Sequence, residues 1–408
     1  MTPDEARTCQ KTKHMDADSN SKYLTPFERV NELTAKFTQL LDEQLKEETE
    51  SLLCLDSVAL YGWLRDRMFS ASCTAFFGQK LVEMYPSYCE DFFGFADDFI
   101  KFLFQLPSYM MKDAIGRRKR IIARLEEWSS QMRSQCGGTP IDPESVDWEP
   151  YLGSRLNRAR QLDYTARGLS TRNGAALDLG LTLGLSANAI PAAGWMLFHA
   201  LDPKAPAGLL PRLVAEIKHS EKADHTLDIA TLITQPTLQS LWQETLRMHV
   251  DVLVTRHLPE DFMLPLDEEG ERKVAFQKGD HLFAGSWVGH HDPGNWPTDH
   301  APTDVFDAER FVVADPKTGE RMFNAGKTAG KLFPFGGGKT LCPGRFFAKQ
   351  EAIGAVAMVL LRFDFEVKGF VDSHKRPTPS FPLAKHAFPG SGSQVPGGDM
   401  MVKIRRRQ

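Results

Sequence analysis

The sequence has few cysteines, and none of them form a recognisable pair. Six cysteines occur in 408 residues, with no Cys-x-x-Cys and no zinc-type spacing. The N-terminal segment, MTPDEARTCQKTKHMDADSNSKY, is polar and has neither the apolar region of a signal peptide nor a membrane anchor. These absences argue against a disulfide scaffold, a zinc module and a secreted protein, and they favour free thiols in a reducing compartment. The cysteines are Cys9, Cys54, Cys73, Cys89, Cys136 and Cys342.

Charge of one sign is also scarce. The formal net charge is −4, and the basic end KIRRRQ is too short to indicate a nucleic-acid-binding protein. Apolar residues make up 42% of the chain and charged residues 25%, which is ordinary for a soluble globular protein. The length could hold two average domains, but single-domain enzymes of this size also exist.

A single stretch is long and uncharged enough to cross a bilayer. Residues 179–198, LGLTLGLSANAIPAAGWMLF, carry no formal charge. Glycines, an asparagine and a proline interrupt the stretch, and charged segments flank it on both sides. We therefore expect a central helix buried in a large helical core.

The hydrophobic periodicity predicts a mainly helical chain with a minor β component. Apolar residues recur at three and four from about residue 25 to 135, and more helices are expected up to about residue 250. Residues 136–151 are rich in proline and glycine and predict a loop. Alternation in DFMLPLDEEGERKVAFQKGDHLF predicts a small sheet, residues 288–345 are loop-rich, and the C-terminal end resembles a hairpin.

Residues 333–348, FPFGGGKTLCPGRFFA, allow two interpretations. A phosphate-binding P-loop needs a glycine five residues before its Gly-Lys-Thr, and that position is Phe333. The phosphate interpretation therefore fails.

The remaining interpretation is a thiolate at the start of a helix. Pro343 is expected in a first helical turn, and an apolar helical run follows it. The unpaired N–H groups at such a helix end favour an anion, so we expect them to lower the pKa of the Cys342 thiol. The alternative is a buried structural cysteine.

The spacing of Phe335, Gly338, Cys342, Gly344 and Ala348 resembles the haem-binding loop of the cytochrome P450 superfamily. By that resemblance Cys342 is the axial ligand of the haem iron, and Phe335, Gly338 and Gly344 shape the loop around the cofactor. A cysteine thiolate donates electron density to iron and favours O–O cleavage.

Further upstream motifs occur in the order that the family requires. Glu244 and Arg247 match its Glu-x-x-Arg helix, and Arg310 matches the arginine that completes a Glu-Arg-Arg triad. Residues three apart share a helix face, so a second arginine can bind the remaining carboxylate oxygen. By resemblance the triad is structural. Arg256 stands where the family often pairs an arginine with a haem propionate, although it could equally be a surface charge.

The distal segment departs from the common family pattern. Ile190 and Pro191 replace the acid and alcohol that usually deliver protons to bound dioxygen. This Asn-x-x-Pro form resembles the branch of sterol 7-alpha-hydroxylase, prostacyclin synthase and fungal biosynthetic members, which includes oxygenases and isomerases. Pro191 should kink the helix and free the carbonyl of Ala187. Asn188 then either binds a ligand or water in a catalytic role, or caps the broken turn.

A further departure concerns the N-terminal part of the family fold. Trp63 and Arg67 have the Trp-x-x-x-Arg spacing of the family's C helix, but their surroundings match a later segment. The resemblance thus implies a cytochrome P450 fold that lacks its anchor, first sheet and B and C helices. We expect a polar tail at 1–23 and a single catalytic domain at 24–408, helical over 24–250, with the small sheet and haem-binding loop at 251–408.

The activity that the resemblance implies is that of a haem-thiolate monooxygenase acting on a lipophilic terpenoid, sterol or other secondary metabolite. The resemblance implies haem b as the cofactor, dioxygen as the oxidant, and NADPH-derived electrons delivered by NADPH-cytochrome P450 reductase. It also implies a location at the cytosolic face of the endoplasmic reticulum membrane. For a chain without an anchor, this means peripheral membrane contact or a cytosolic location. The alternatives are an isomerase of a peroxide substrate and a truncated, non-catalytic haem-binding remnant. The expected pocket wall is Ala189, Val252, Leu253 and Phe388.

Overall fold

Helices form most of the first 250 residues, as the three-and-four spacing of apolar residues predicts. The computed structural model describes residues 15–135, 141–224, 226–267, 269–296, 301–385 and 390–407. The helices of these residues are α1 Met15–Leu24, α2 Phe27–Leu53, α3 Leu60–Phe77, α4 Gln79–Met84, α5 Tyr88–Leu103, α6 Lys112–Gln135, α7 Arg155–Ala166, α8 Thr171–Leu201, α9 Leu209–His219, α10 Ile229–Leu232, α11 Pro236–His249, α12 Ser286–His291 and α13 Arg345–Arg362. Short 3₁₀ turns lie at Ser108–Met110, Ala325–Lys327 and Gly338–Thr340.

The strands lie almost entirely after residue 250 and pair antiparallel in small sheets. They are β1 Val58–Ala59, β2 Val250–Asp251, β3 Leu253–His257, β4 Phe262–Pro265, β5 Lys273–Phe276, β6 His281–Gly285, β7 Val312–Ala314, β8 Arg321–Phe323, β9 Phe363–Asp372, β10 Pro377–Thr378, β11 Ala384–Lys385, β12 Gly392–Ser393, β13 Val395–Pro396 and β14 Gly398–Arg406. One sheet has four strands in the order β1-β14-β9-β10, and the pairs are β11-β13, β12-β2, β3-β6, β4-β5 and β7-β8.

The C-terminal end is more extensively paired than the predicted hairpin. A short hairpin-like pair does form between β11 and β13, but β14 pairs along its length with β9, with a register shift between Met401 and Val402. The strand β9 was missed because FDFEVKGFVD directly follows α13 with no glycine or proline between them. Its alternation of aromatic and polar residues was the available signal.

The central helix α8 runs through the core. It packs against α3, α6, α11 and α13, and Trp195, Leu197 and Phe198 have no exposed surface. Among the described helices, α8 is the one long and apolar enough to cross a membrane, and 72% of its apolar window is buried inside the protein. The uncharged stretch at 179–198 is therefore accounted for as a core helix.

Pro191 does not divide α8. The helix is continuous over Thr171–Leu201 with Pro191 inside it, so α8 does not end at the proline. Pro191 itself is buried in the core. We attribute the continuity to the burial of Pro191 and of the residues that follow it, because proline removes one backbone donor while tertiary packing stabilises the rest of the helix.

Aromatic packing fixes the helix that follows Cys342. The Phe347 ring of α13 lies 5.1 Å from the Phe76 ring of α3 and 6.3 Å from the Phe37 ring of α2, both edge-to-face. All three rings are buried. Such contacts add to the stabilisation from buried apolar area, so the start of α13 is held against the helical core.

Candidate haem-thiolate site

The segment before α13 turns tightly around Cys342. Gly336 and Gly338 have φ of +73° and +62°, a region in which residues with a Cβ are strained. The Cys342 backbone N–H donates to the Phe335 carbonyl at 3.0 Å. Helix α13 begins at Arg345 with Gly344 as its N-cap, so Pro343 lies before the helix and not in its first turn as expected.

The electrostatics of the Cys342 thiol correct the sequence prediction. Burial raises the pKa of the thiol, and the backbone N–H groups of Gly344 and Arg345, together with the Arg345 charge, oppose that rise. The expected lowering by the helix end is therefore wrong for the free thiol, because desolvation outweighs the helix N–H groups. A metal ion at the sulfur would supply the missing charge and deprotonate the thiol.

Strands β2 and β3 border the loop from the other side. The Arg256 guanidinium donates from Nη2 to the Gly337 carbonyl at 2.7 Å and from Nη1 to the Thr255 carbonyl at 2.8 Å. A Cβ added at Gly338 would lie 2.7 Å from Arg256 Nη2, and the φ of +62° would strain a side chain there as well. Val252 Cγ1 lies 3.9 Å from the Cβ position of Gly336. Arg256 and Val252 thus both face the loop that carries Cys342.

The structure brings Glu244, Arg247 and Arg310 together. Arg247 donates to both carboxylate oxygens of Glu244 at 2.7 Å, and Arg310 Nε donates to Oε1 at 3.0 Å. The Asp307 backbone N–H also reaches Oε1 at 3.0 Å. The three side chains are 0–1% exposed. The ion pairs are therefore shielded from water, and both carboxylate oxygens of Glu244 accept hydrogen bonds.

Further bonds extend this network into the loops. Arg310 donates to the carbonyls of Ala301, Pro302 and Val305, and Arg247 donates to the carbonyl of His290. His290 in turn accepts the Phe333 backbone N–H at 3.0 Å. The triad is therefore connected, through His290, to the first residue of the Cys342 segment.

Trp63 and Arg67 lie in α3, and their side chains contact residues outside the Cys342 loop. The Arg67 guanidinium pairs with Glu48 of α2 at 2.6 Å, and the Trp63 ring packs on Phe363 at 6.1 Å. Both are accounted for by contacts within the helical and sheet core.

The expected pocket residues do not all border open space. Asn188 and Leu253 are exposed and Val252 is half-buried, but Ala189 is only 4% exposed. Neighbouring residues on a helix point about 100° apart, so Ala189 faces a different direction from Asn188, and its place in the pocket wall stays a prediction. The exposed face of α8 carries Gly180, Gly184 and Asn188. Phe388 lies outside the described residues.

The residues around Cys342 fit a haem. The thiol stands at a turn where Gly337 leaves open space at its Cβ position, and Arg256 offers a cation at the loop. Exposed apolar side chains surround them, with Phe333, Leu341 and Leu253 at 46%, 40% and 38% exposure. A flat apolar cofactor with carboxylate groups would cover these side chains and pair with the cation.

Comparison with known proteins agrees with this geometry. The family model described as Cytochrome P450 matches residues 194–389. Cytochrome P450 monooxygenase efuG of Hormonema carpetanum is 30% identical over 85% of this chain and 63% of its own length. Cytochrome P450 7A1 of Oryctolagus cuniculus is 27% identical over 78% of this chain and 62% of its own length.

The chain belongs to the cytochrome P450 superfamily. The retinoic acid-bound cyanobacterial CYP120A1 aligns with a TM-score of 0.65 and 20% identity over 96% of this chain and 78% of its own, which shows the cytochrome P450 fold. The predicted fold class and the predicted relationship to fungal and 7A1-type members are confirmed. This P450 spans less than two thirds of the length of the first curated relative.

Sequence reasoning missed the contacts that residues 390–396 make with the distal helix. Ser393 donates its backbone N–H to Asn188 Oδ1 at 2.9 Å. The available signal was the glycine-rich run GSGSQVPGG, because repeated glycines near a strand often mark close backbone approach. Asn188 therefore does not mark the end of α8, and its side chain has a backbone partner in residues 390–396.

A cavity lies elsewhere, away from the Cys342 loop. It has a volume of about 850 Å³ and lies between α2, residues 221–230, the end of α13 and the C-terminal strand. None of its lining residues is among the predicted site residues. Its size therefore carries no argument about the Cys342 site.

Proposed function

We propose that this P450 is a haem-thiolate monooxygenase that oxidises a lipophilic small molecule. The observation that supports the proposal most directly is the position of Cys342 in a tight turn just before a buried helix, where the backbone N–H groups of Gly344 and Arg345 lower the pKa of its thiol against the effect of burial. The relatives named as fungal monooxygenases support the same activity.

Each predicted site residue has a proposed role. Cys342 is the axial ligand of haem b, and Phe335, Gly338 and Gly344 shape the loop around the cofactor. Arg256 pairs with a propionate while its other N–H groups hold the Gly337 carbonyl. Glu244, Arg247 and Arg310 hold the loop region in place, and Val252, Leu253 and Phe388 form part of the substrate pocket. When bound, the haem supplies the oxygen activation and one-electron chemistry.

The protein's own contribution is orientation and exclusion of water. The apolar residues beside the loop favour a lipophilic substrate, since they would be buried by it. Terpenoids, sterols and related secondary metabolites have this character, and the fungal monooxygenase relatives support a role in secondary metabolism. Neither Ile190 nor Pro191 can transfer a proton, so any distal proton reaches the site through water or through Asn188.

The same distal residues favour a second candidate, the isomerisation of a peroxide substrate. That reaction needs neither a reductase nor dioxygen. It therefore does not need the acid and alcohol that usually deliver protons to bound dioxygen. Dependence on a reductant separates the two activities.

We further propose contact with NADPH-cytochrome P450 reductase and with the cytosolic face of the endoplasmic reticulum membrane. Residues 103–110, between α5 and α6, expose Leu103, Phe104, Tyr109 and Met110 at 56–72%. Basic residues follow at 117–120. Large apolar side chains next to positive charge suit an anionic membrane surface.

The test is the difference spectrum of the reduced, carbon monoxide-treated protein. We expect a red-shifted Soret band of the thiolate type, which Cys342→Ala should abolish. The control is Cys54→Ala, since Cys54 is an exposed free cysteine away from the loop. Retention of the band in Cys342→Ala would refute the ligand assignment. Absence of the band from folded wild-type protein would instead favour the non-catalytic remnant.

Product formation then separates the remaining candidates. A monooxygenase should oxidise a lipophilic substrate when NADPH, reductase and dioxygen are present. An isomerase should convert a hydroperoxide without any of them.

A further inference from the structure

A short C-terminal segment crosses the distal helix at Pro191. Asn188 Oδ1 accepts the Ser393 backbone N–H at 2.9 Å, and Trp195 Nε1 donates to the Gln394 carbonyl at 2.7 Å. Asn188 and Trp195 are two helical turns apart, on either side of Pro191. Residues 390–396, here called the strap, are thus attached to α8 before and after the proline.

The other edge of the strap is attached to the wall beside the haem-binding loop. Gly392 and Ser393 pair with Asp251 and Val250, and the Gln394 N–H donates to the His249 carbonyl at 2.8 Å. Ser393 and Gln394 are 8% and 4% exposed. The strap therefore joins α8 to β2 through buried hydrogen bonds, each of which is costly to leave unmade.

Two glycines make this close approach possible. A Cβ at Gly392, where φ is +85°, would overlap Asn188 Oδ1. A Cβ at Gly390, where φ is +80°, would lie 2.6 Å from Leu253 Cβ. Both substitutions would be strained by the backbone conformation as well as by the contact.

The strap also fixes which end of the Asn188 amide faces outward. A backbone N–H can only donate, so the atom that meets the Ser393 N–H must be the amide oxygen. The Nδ2 amino group has no hydrogen-bond partner among the described residues. It lies on the exposed face of α8, where the Cβ positions of Gly180 and Gly184 meet nothing within 4 Å.

We propose that the strap is a positioning element that holds Asn188 as a hydrogen-bond donor toward the ligand space beside α8. The site then selects lipophilic ligands that carry an uncharged oxygen acceptor, such as a ketone, over the matching hydrocarbon. This selectivity rests on the proposed function, whereas the positioning of Asn188 does not.

The experiment uses two variants that separate the strap from the donor. Asn188→Asp keeps an acceptor for the Ser393 N–H but removes the amino group, provided that the carboxylate is ionised at pH 8. Gly392→Ala keeps Asn188 but breaks the close approach. Gly168→Ala is the matched control, since Gly168 has a φ of +66° and nothing within 4 Å of its Cβ position.

The first readout is hydrogen–deuterium exchange of the Ser393 amide, which needs no bound haem. Gly392→Ala should lose most of the protection, while Asn188→Asp and Gly168→Ala should keep it. Unchanged protection in Gly392→Ala would overturn the strap.

The second readout is titration of the haem-loaded protein with 2-decalone and decalin, followed at the Soret band. The wild type should bind the ketone about 3- to 10-fold more tightly, as expected for one hydrogen bond. Asn188→Asp should remove that preference. Equal binding of both compounds to the wild type, binding of neither, or a preserved preference in Asn188→Asp would overturn the donor role. A protein that does not bind haem would contradict the proposed function. The exchange experiment would still show whether the strap is held against Asn188.

Discussion

The two sides of the site are held by different kinds of interaction. On the side of the haem-binding loop, Glu244, Arg247 and Arg310 form a fully buried ion network. On the distal side, Asn188 and Trp195 bind the backbone of a strap about two hundred residues away in sequence. The first arrangement combines a local Glu-x-x-Arg spacing with one further arginine, whereas the second depends on where the backbone of the strap passes. Their sensitivity to substitution should therefore differ.

The largest effect should come from breaking the buried network. Glu244→Ala removes the shared carboxylate and leaves two buried guanidinium groups uncompensated, so we expect a loss of about 3 to 5 kcal/mol in the free energy of unfolding. Haem incorporation should fall with it, because the network reaches the Cys342 segment through His290. Urea unfolding and the haem-to-protein ratio would measure both effects.

A matched control for that variant is Glu309→Ala. Glu309 also binds two arginines, Arg212 and Arg321, but its side chain is 27% exposed and theirs are 36% and 45%. Its removal should cost less than about 1 kcal/mol. Equal losses in the two variants, or unchanged haem content in Glu244→Ala, would contradict a special role for the buried network.

The same contrast shows how far the sequence could carry the structure. Helices and the position of Cys342 could be predicted because apolar periodicity and motif spacing are local properties. The strap, the strand β9 and the outward face of α8 depend on long-range pairing, which single-sequence patterns do not encode. The pKa of Cys342 was predicted with the wrong sign because the sequence shows the helix end but not the burial around the sulfur.

The next effect concerns Glu351 of α13, a buried carboxyl that, unlike Glu244, has no cationic partner among the described residues. The carboxyl is fully buried, receives a hydrogen bond from Ser72, and burial raises its pKa to about 8. Since the unfolded chain ionises near pH 4.5, this group stabilises the fold fully below that pH. The stabilisation is lost as pH rises toward 8.

Glu351→Gln tests this directly. Relative to the variant, the wild type should lose about 3 kcal/mol of unfolding free energy between pH 5 and pH 8. Urea unfolding at several pH values would measure the difference. Parallel pH profiles of the two proteins would rule out a neutral Glu351.

A smaller effect of opposite sign is expected on the distal side, at His199. Its Nε2 lies 2.8 Å from His249 Nε2, and its ring stacks on Phe306 at 3.5 Å. Burial lowers the pKa of His199 to about 3 from 6.5. The fold is therefore fully stabilised by the neutral ring above pH 6.5, and this contribution is lost as pH falls toward 3.

The variant His199→Gln should make acid unfolding shallower. Between pH 6.5 and pH 5 the wild type should lose about 1 to 2 kcal/mol relative to the variant. The exposed His374, replaced in the same way, provides the control. If the unfolding free energy of the wild type and of His199→Gln changed with pH at the same rate, the folded protein would accommodate a protonated His199 without loss of stability.

The smallest effect should come from Arg256, where the two sides meet. Its guanidinium is exposed but bonds the Gly337 carbonyl across the haem-binding loop. Arg256→Ala should lower the free energy of unfolding by about 1 kcal/mol, because water replaces most of what the bond provides.

If Arg256 also pairs with a propionate, Arg256→Ala should lower the free energy of unfolding more in the haem-loaded protein than in the haem-free protein. Arg256→Lys should recover part of that difference by restoring the charge. Equal losses in both forms would restrict Arg256 to holding the loop. Thermal unfolding of both forms of each variant would separate these outcomes.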